Sequence, residues 1–145
     1  MTSRFPVVIY HNEDCGTSRN VLAIIEAAGY QPTVIDYLSE GWTCAHLLGL
    51  FAAANVTPRE AMRDKKSPAA ELGLLAEGVN DETILLAMVQ RPILVNRPFV
   101  ATPKGVRLCR PDSATVLDLL ERWPEGPFAR EDGSLVIDAE GNRAR

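Results

Sequence analysis

The stretch that decides the fold is VVIYHNEDCGTSRNVLAIIEAAG, residues 7–29. Its first residues, 7–10, are apolar and mostly β-branched, which is typical of a buried strand. Apolar residues in 18–28 recur with a period near 3.6, which predicts a helix that Gly29 ends. A second β-branched run follows at 32–37. The segment therefore predicts a strand, a turn, a helix and a second strand, which together form a βαβ unit.

The middle of the chain is predicted to be helical. Thr43 is a candidate N-cap for one helix, and a further helix begins near Asn80, with acidic residues in its first turn. Between them, Thr57-Pro58-Arg59-Glu60 has the pattern of a capping box with proline at the first helical position. That pattern predicts a short third helix.

The last third of the chain predicts two strands and a helix. Residues 92–100 and 106–109 indicate antiparallel strands joined by a turn at Lys104-Gly105. Asp112 or Ser113 can cap a final helix, and the tail after Pro124 is either a small hairpin or partly disordered. The order βαβ, helices, ββα predicts an α/β, thioredoxin-like (glutaredoxin-like) fold. We expect one domain over residues 1–145, with a four-stranded mixed sheet and a helical insertion at about 42–90.

Composition excludes several classes of protein. The 145 residues carry a net charge of −4, so a global basic surface for nucleic acid is absent. No apolar run is long enough to span a membrane, and the N-terminal apolar run is too short for a signal peptide. Three cysteines without a Cys-x-x-Cys predict neither a disulfide framework nor a metal site. We therefore expect a cytoplasmic protein with no bound metal or organic cofactor.

Cys15 is the candidate nucleophile. It lies at the mouth of the predicted helix, where unpaired backbone N–H groups and the helix dipole favour a thiolate. His11 precedes it, and Ser18 offers a hydroxyl donor close by. Glu13 and Asp14 would raise the thiol pKa if they faced it, and we expect them to point outward. Such a turn can bind an anion at the helix N-terminus, next to the nucleophile.

The other two cysteines are interpreted as structural. Cys44 lies in the first turn of a predicted helix and Cys109 in a predicted strand, where free cysteine usually acts as a small buried hydrophobe. Ser18 occupies the position that a second, resolving cysteine would take in a Cys-x-x-Cys. A single thiol that is oxidised must be restored by an outside thiol, for which glutathione or a glutaredoxin is the natural candidate.

Three blocks of sequence carry a resemblance to a known family. They are Tyr10-His11-Asn12 with Cys15-Gly16-Thr17-Ser18-Arg19-Asn20, then Asn96-Arg97-Pro98, then Arg107-Leu108-Cys109-Arg110-Pro111. In this order they resemble the glutaredoxin-coupled arsenate reductases of the ArsC type. The chain departs from the family pattern at Glu13, where proline is common, and over residues 64–68.

The resemblance implies a set of roles. Cys15 would be the nucleophile, His11 and Ser18 would tune its thiolate, and Arg63, Arg97 and Arg110 would hold the arsenic oxyanion. The Arg97-Pro98 bond resembles the cis-proline that thioredoxin-like folds place beside the active cysteine. The implied reaction reduces arsenate to arsenite through a Cys15–arsenic–glutathione intermediate, with glutathione as co-substrate and glutaredoxin as partner.

Two other interpretations stay open at this point. One is a regulator of the same fold, resembling the Spx group that binds RNA polymerase, although Ser18 replaces the second cysteine of that group's redox switch. The other is a glutathione-dependent oxidoreductase that acts on protein disulfides, which would not need a cluster of oxyanion-binding arginines.

Overall fold

The fold is built on a four-stranded mixed sheet. In the computed structural model, which describes residues 5–145, the strands are β1 (Val8–His11), β2 (Thr33–Asp36), β3 (Phe99–Thr102) and β4 (Gly105–Leu108). Their order is β2-β1-β3-β4, with β1 parallel to β2 and antiparallel to β3, and β3 antiparallel to β4. This confirms the predicted thioredoxin-like sheet. Residues 1–4, part of the predicted domain and of the signal-peptide argument, lie outside the described residues.

One face of the sheet is covered by α1 (Gly16–Ala27) and by a 3-10 helix, Ser113–Leu119. The buried residues of α1 are Ser18, Val21, Ile24 and Ile25, which follow the helical period read from the sequence. Gly29 has a φ of +96°, a left-handed conformation that favours glycine directly after a helix. The predicted end of the helix is therefore confirmed.

The opposite face carries three helices. They are α2 (Tyr37–Glu40), α3 (Cys44–Ala54) and α4 (Asp81–Gln90), of which the last two lie in the stretch 42–90 predicted as helical. The Thr43 hydroxyl accepts a hydrogen bond from the backbone of His46, as expected for the predicted N-cap. The helix predicted to begin near Asn80 does so, and the Asn80 amide oxygen accepts the backbone N–H of Thr83. Their buried side chains pack with Tyr10 and Phe99 of the sheet.

The capping box forms without the predicted helix. Thr57 and Glu60 exchange both hydrogen bonds, at 2.9 and 3.1 Å, yet residues 58–61 form only a turn. The chain leaves the turn at Met62, which pairs antiparallel with Val95. A backbone bond from Arg63 N–H to the carbonyl of Leu94 continues this pairing. The prediction of a helix here is wrong because these long-range bonds take the backbone groups that a second helical turn would need.

The predicted strand over residues 92–100 is wrong in its first half. Residues Pro92–Leu94 form a 3-10 helix, and only Phe99–Thr102 joins the sheet. Proline has no N–H to give to a strand ladder, and Pro98 stands at the entry to β3 after a cis peptide bond with Arg97. The last predicted helix is the 3-10 helix, and the tail forms a hairpin of β5 (Phe128–Ala129) and β6 (Leu135–Ile137).

Within residues 5–145, no helix has the length and hydrophobicity that crossing a membrane requires.

Two neighbouring leucines of α3 test this packing. Leu47 is fully buried, whereas the side chain of Leu48 is 54% exposed. Leu47→Ala should lower the free energy of unfolding by about 2–5 kcal/mol, the usual range for a leucine deleted from a core. Leu48→Ala should change it by less than about 0.5 kcal/mol. Urea denaturation of both variants measures the difference, and equal effects would contradict the burial of Leu47.

Candidate active site

Cys15 occupies the turn between β1 and α1. It is the N-cap residue of α1, with extended backbone angles, φ −101° and ψ 121°, and only 7% of the residue is exposed. Its N–H donates to the carbonyl of Asn12 at 3.0 Å, which fixes the turn, and its carbonyl accepts the N–H of Arg19. The backbone N–H of Ser18, in the first turn of α1, acts on the sulfur as a donor. The thiol is therefore placed at the positive end of α1.

The surroundings of Cys15 favour its thiolate. Burial raises the pKa of the thiol, but the backbone N–H of Ser18 and the charges of Arg97 and Arg110 lower it by more. Arg110 reaches the sulfur directly, with its Nη1 donating to Sγ at 3.5 Å. The net effect is a pKa below the ordinary value for cysteine, so a larger fraction of the thiol is ionised near neutral pH.

Three arginines from three segments meet around the thiol. Arg63 lies in the segment that pairs with residues 94–96, Arg97 lies two residues before β3, and Arg110 lies two residues after β4. Arg110 Nη1 also donates to the carbonyl of Arg97 at 3.1 Å. Burial lowers the pKa of Arg63, and the charges of Arg97 and Arg110 lower it too, whereas Cys15 raises it. The structure thus brings together all three arginines that the sequence predicted for anion binding.

None of these arginines is neutralised by a carboxylate. The salt bridges of residues 5–145 involve Arg19, Arg107, Arg130 and Arg143 instead. Arg63, only 9% exposed, donates from Nε to the carbonyl of Lys65, and Arg97 donates from Nη1 to Asn96. The Nε of Arg97 is buried and has no hydrogen-bond partner among the residues that the structure describes. Buried cations without counter-ions are costly, and a bound anion would offset that cost.

His11 and Ser18 form a pair beside the thiol rather than on it. The His11 Nδ1 lies 2.7 Å from the Ser18 hydroxyl, which also accepts the backbone N–H of Asn12. Burial lowers the pKa of His11 and outweighs the carboxylates of Glu13 and Asp36, which raise it. A neutral ring can accept the Ser18 proton at Nδ1. The Ser18 hydroxyl is therefore engaged with His11 and Asn12, and it is the backbone N–H of Ser18 that acts on the thiol.

The acidic neighbours of Cys15 point away from it, as expected. Glu13 and Asp14 are exposed, and neither is among the groups that shift the pKa of the thiol. Arg19 faces outward as well, where it pairs with Glu131 of the C-terminal hairpin at 2.9 Å.

The other cysteines have different surroundings. All three cysteines are free. Cys109 is fully buried in the hydrophobic cluster between α1 and the sheet, and this burial raises the pKa of its thiol to about 12. Cys44 is the first residue of α3 and is half-buried. Cys109 is thus a protonated core residue, in agreement with its structural interpretation.

Two residues that the sequence analysis did not assign also face the site. Tyr37 is 1% exposed, and burial raises its pKa while the Asn12 side chain, Arg97 and Arg63 lower it. Its hydroxyl makes no hydrogen bond of standard geometry within residues 5–145. Asn12 lies between Tyr37 and Ser18. The strand topology could have indicated Tyr37. Tyr37 follows β2, Cys15 follows β1, and these parallel strands end at the same edge of the sheet. The prediction from hydrophobicity alone placed Tyr37 at the end of the strand over residues 32–37.

No metal site is formed by residues 5–145, in which no three or more His, Cys, Asp and Glu side chains cluster closely enough to hold an ion.

Comparison with known proteins gives relatives over most of the chain. The model of the ArsC family matches residues 10–116. Arsenate reductase ArsI2 of Synechocystis sp. is 71% identical over 137 residues, covering 94% of this chain and 97% of that protein. The arsenate reductase of Escherichia coli K12 is 43% identical over 139 residues, covering 96% and 98%. Among solved structures, arsenate reductase from Vibrio cholerae has a TM-score of 0.76 at 34% identity, covering 81% and 100%.

The pH dependence of alkylation tests the thiol environment. We expect iodoacetamide to modify Cys15 at a pH below that needed for an ordinary cysteine, because its pKa is lowered. Arg110→Gln should move this profile to higher pH, since it removes the donor at 3.5 Å from the sulfur. Mass spectrometry of the modified peptide in a Cys44→Ser background would follow Cys15 alone, with Cys109 unmodified while the protein is folded.

Arg107→Gln is the matched control for that experiment. Arg107 is an exposed arginine of β4 that pairs with Asp118, so its loss should leave the Cys15 profile unchanged. A profile that stays the same in Arg110→Gln, or moves equally in both variants, would contradict a specific action of Arg110 on the thiol.

Proposed function

This chain belongs to the ArsC family, and we propose that it reduces arsenate to arsenite with Cys15 as the nucleophile. Glutathione is the co-substrate and glutaredoxin the protein partner in this proposal, and no metal or organic cofactor is bound. The names of the relatives support arsenate as the substrate, since the proteins of Synechocystis sp. and E. coli are both called arsenate reductases.

One observation carries the proposal. Arg63, Arg97 and Arg110 surround a thiol of lowered pKa, and no carboxylate within residues 5–145 pairs with them. Guanidinium groups stay charged and can bind an oxyanion through two parallel hydrogen bonds each. A tetrahedral oxyanion with several acceptor oxygens fits such a cluster. A protein disulfide is uncharged, so a protein that acts on disulfides would not need this cluster of arginines.

The first step is substitution at arsenic. Arsenate binds to the arginines, and the Cys15 thiolate attacks arsenic while a hydroxyl group leaves as water after taking up a proton. Arsenic remains pentavalent in the resulting Cys15–arsenic adduct. The arginines offset the negative charge of both reactants, which would otherwise repel each other as they approach. His11 and Ser18 act indirectly, by fixing the turn and the N-terminus of α1 that lower the pKa of the thiol.

The electrons come from outside the chain. A glutathione thiolate displaces a second hydroxyl from arsenic and gives the Cys15–arsenic–glutathione intermediate. A glutaredoxin thiol then attacks the glutathione sulfur, forming a mixed disulfide and passing two electrons to arsenic. Water replaces the Cys15 sulfur on trivalent arsenic, and arsenite leaves. An outside reductant fits the site because Ser18 occupies the resolving position and Cys109 is a protonated core residue.

Two alternative functions make different use of the site. A redox-switch regulator of RNA polymerase needs a second cysteine near Cys15, whereas Ser18 is fully buried and bonded to His11 and Asn12. A thiol oxidoreductase of protein disulfides needs no arginine cluster. Arsenate-dependent turnover distinguishes the proposed function from both.

A coupled assay tests the proposal. Purified protein, arsenate, glutathione, glutaredoxin, glutathione reductase and NADPH should together consume NADPH in an arsenate-dependent manner. Cys15→Ser should abolish this consumption, because the nucleophile is lost. Arg97→Gln and Arg110→Gln should each lower kcat/KM for arsenate by about 10- to 100-fold, the effect of losing a hydrogen bond to a charged group.

Arg107→Gln again serves as the control and should keep the full rate, since its side chain pairs with Asp118. Absence of arsenate dependence in folded protein, with several glutaredoxins tried, would refute the enzyme. NADPH consumption that persists in Cys15→Ser would refute the assignment of the nucleophile.

A further inference from the structure

Tyr37 carries the one hydroxyl of the site that nothing in the described chain satisfies. Tyr37 follows β2 as the first residue of α2, and only 1% of it is exposed. Its hydroxyl oxygen is buried and makes no hydrogen bond of standard geometry within residues 5–145, and the one polar side chain that acts on it, Asn12, does so as a donor. An unsatisfied buried hydroxyl is unfavourable, so its presence calls for a physical reason.

The groups that act on this hydroxyl are donors and cations. Asn12 is the polar side chain beside it, and Asn12 lowers the pKa of Tyr37, which is the effect of a donor facing the phenol oxygen. The Asn12 Oδ1 accepts the backbone N–H of Asp14 at 3.0 Å. The charged groups that act on Tyr37 are Arg97, Arg63 and Cys15. The phenol proton is therefore available for an acceptor that the protein oxygens do not provide.

The Tyr37 phenol is protonated at neutral pH, because its pKa is raised. Burial raises the pKa of Tyr37, and this outweighs the Asn12 side chain and the two arginines, which lower it. Tyr37 is thus a neutral donor among cations. A second buried donor, the Nε of Arg97, is unpartnered in the same site. The charges of Arg97 and Cys15 act on one another and on Tyr37, which places both unused donors within the electrostatic reach of the thiol. An anion with several acceptor oxygens bound there could accept from both donors.

We propose that the Tyr37 hydroxyl donates a hydrogen bond to the oxyanion bound at Cys15, as a substrate-binding residue additional to the three arginines. The inference rests on the proposed function for the identity of the oxyanion as arsenate. The hydroxyl adds a directional contact without adding charge, because a phenol donates along one O–H bond. Its removal weakens binding of the oxyanion and leaves the thiol and the fold as they are.

Tyr37→Phe tests this, with Tyr30→Phe as its matched control. Tyr30 is also buried, but its hydroxyl accepts the backbone N–H groups of Glu121 and Arg122 on the other side of the sheet. Two measurements are made on each variant. The first is the arsenate concentration that half-protects Cys15 from iodoacetamide without glutathione, and the second is kcat/KM for arsenate in the coupled assay.

For Tyr37→Phe we expect the half-protecting arsenate concentration to rise by about 10- to 100-fold, the effect of losing a hydrogen bond to a charged group. The KM for arsenate should rise with it. The rate of Cys15 alkylation without arsenate should stay the same, and Tm should be unchanged or higher, since no hydrogen bond within the protein is lost. Tyr30→Phe should lower Tm and leave arsenate protection unchanged.

Other outcomes would overturn the role of Tyr37 or the proposed function. Equal arsenate protection in Tyr37→Phe and the unaltered protein would overturn the role of Tyr37, and so would weaker protection accompanied by a lower Tm and a changed basal alkylation rate. If the unaltered protein is protected by arsenate but does not turn it over, the proposed function is wrong, whereas a protection that still depends on Tyr37 supports the binding role. Turnover with no effect of Tyr37→Phe refutes only the present inference.

Discussion

Positive charge gathered beside one thiol is the constraint around which this site is arranged. The N-terminus of α1, Arg97 and Arg110 all lower the pKa of Cys15, and Arg63 is held close enough for its own pKa to respond. The positive charges of the three arginines repel one another, and partial burial reduces the screening of this repulsion by water. The Cys15 thiolate offsets part of this charge, and an oxyanion would offset more. The repulsion among these cations therefore lowers the stability of the folded site, and its relief by a bound anion contributes to the affinity of the site for anions.

The fold holds these charges together by joining segments that are far apart in sequence. Arg63 is fixed by the pairing of residues 61–63 with 94–96, through bonds such as Asn96 N–H to the carbonyl of Ala61 at 2.7 Å. That same pairing leads the chain to Arg97 and then into β3. The hairpin of β3 and β4 returns it to Arg110, whose Nη1 bonds to the carbonyl of Arg97. The segment between α3 and α4 forms no regular helix or strand, yet it fixes the position of the Arg63 guanidinium.

The success of prediction from the sequence depended on how local each signal was. The βαβ unit, the cap at Thr43, the helix start near Asn80 and the place of Cys15 depend on neighbouring residues, and all were found as predicted. The capping box at Thr57 misled because it determines only the start of a helix, while bonds to residues 94–96 decide the path of the chain after that start. Tyr37 was missed because a tyrosine at the end of a strand has the same pattern whether its hydroxyl faces solvent or a charged site.

Ser18 links the local chemistry to the need for partners. A resolving cysteine at this position would lie in the first turn of α1, but the Ser18 hydroxyl instead accepts the N–H of Asn12 and contacts His11. Asn12 in turn forms the turn with Cys15 and faces Tyr37. The side chain at position 18 therefore supports the geometry of the nucleophile rather than its redox cycle. In the proposed mechanism, a site that uses this position for structure has to draw its reducing equivalents from soluble thiols and must leave Cys15 reachable by them.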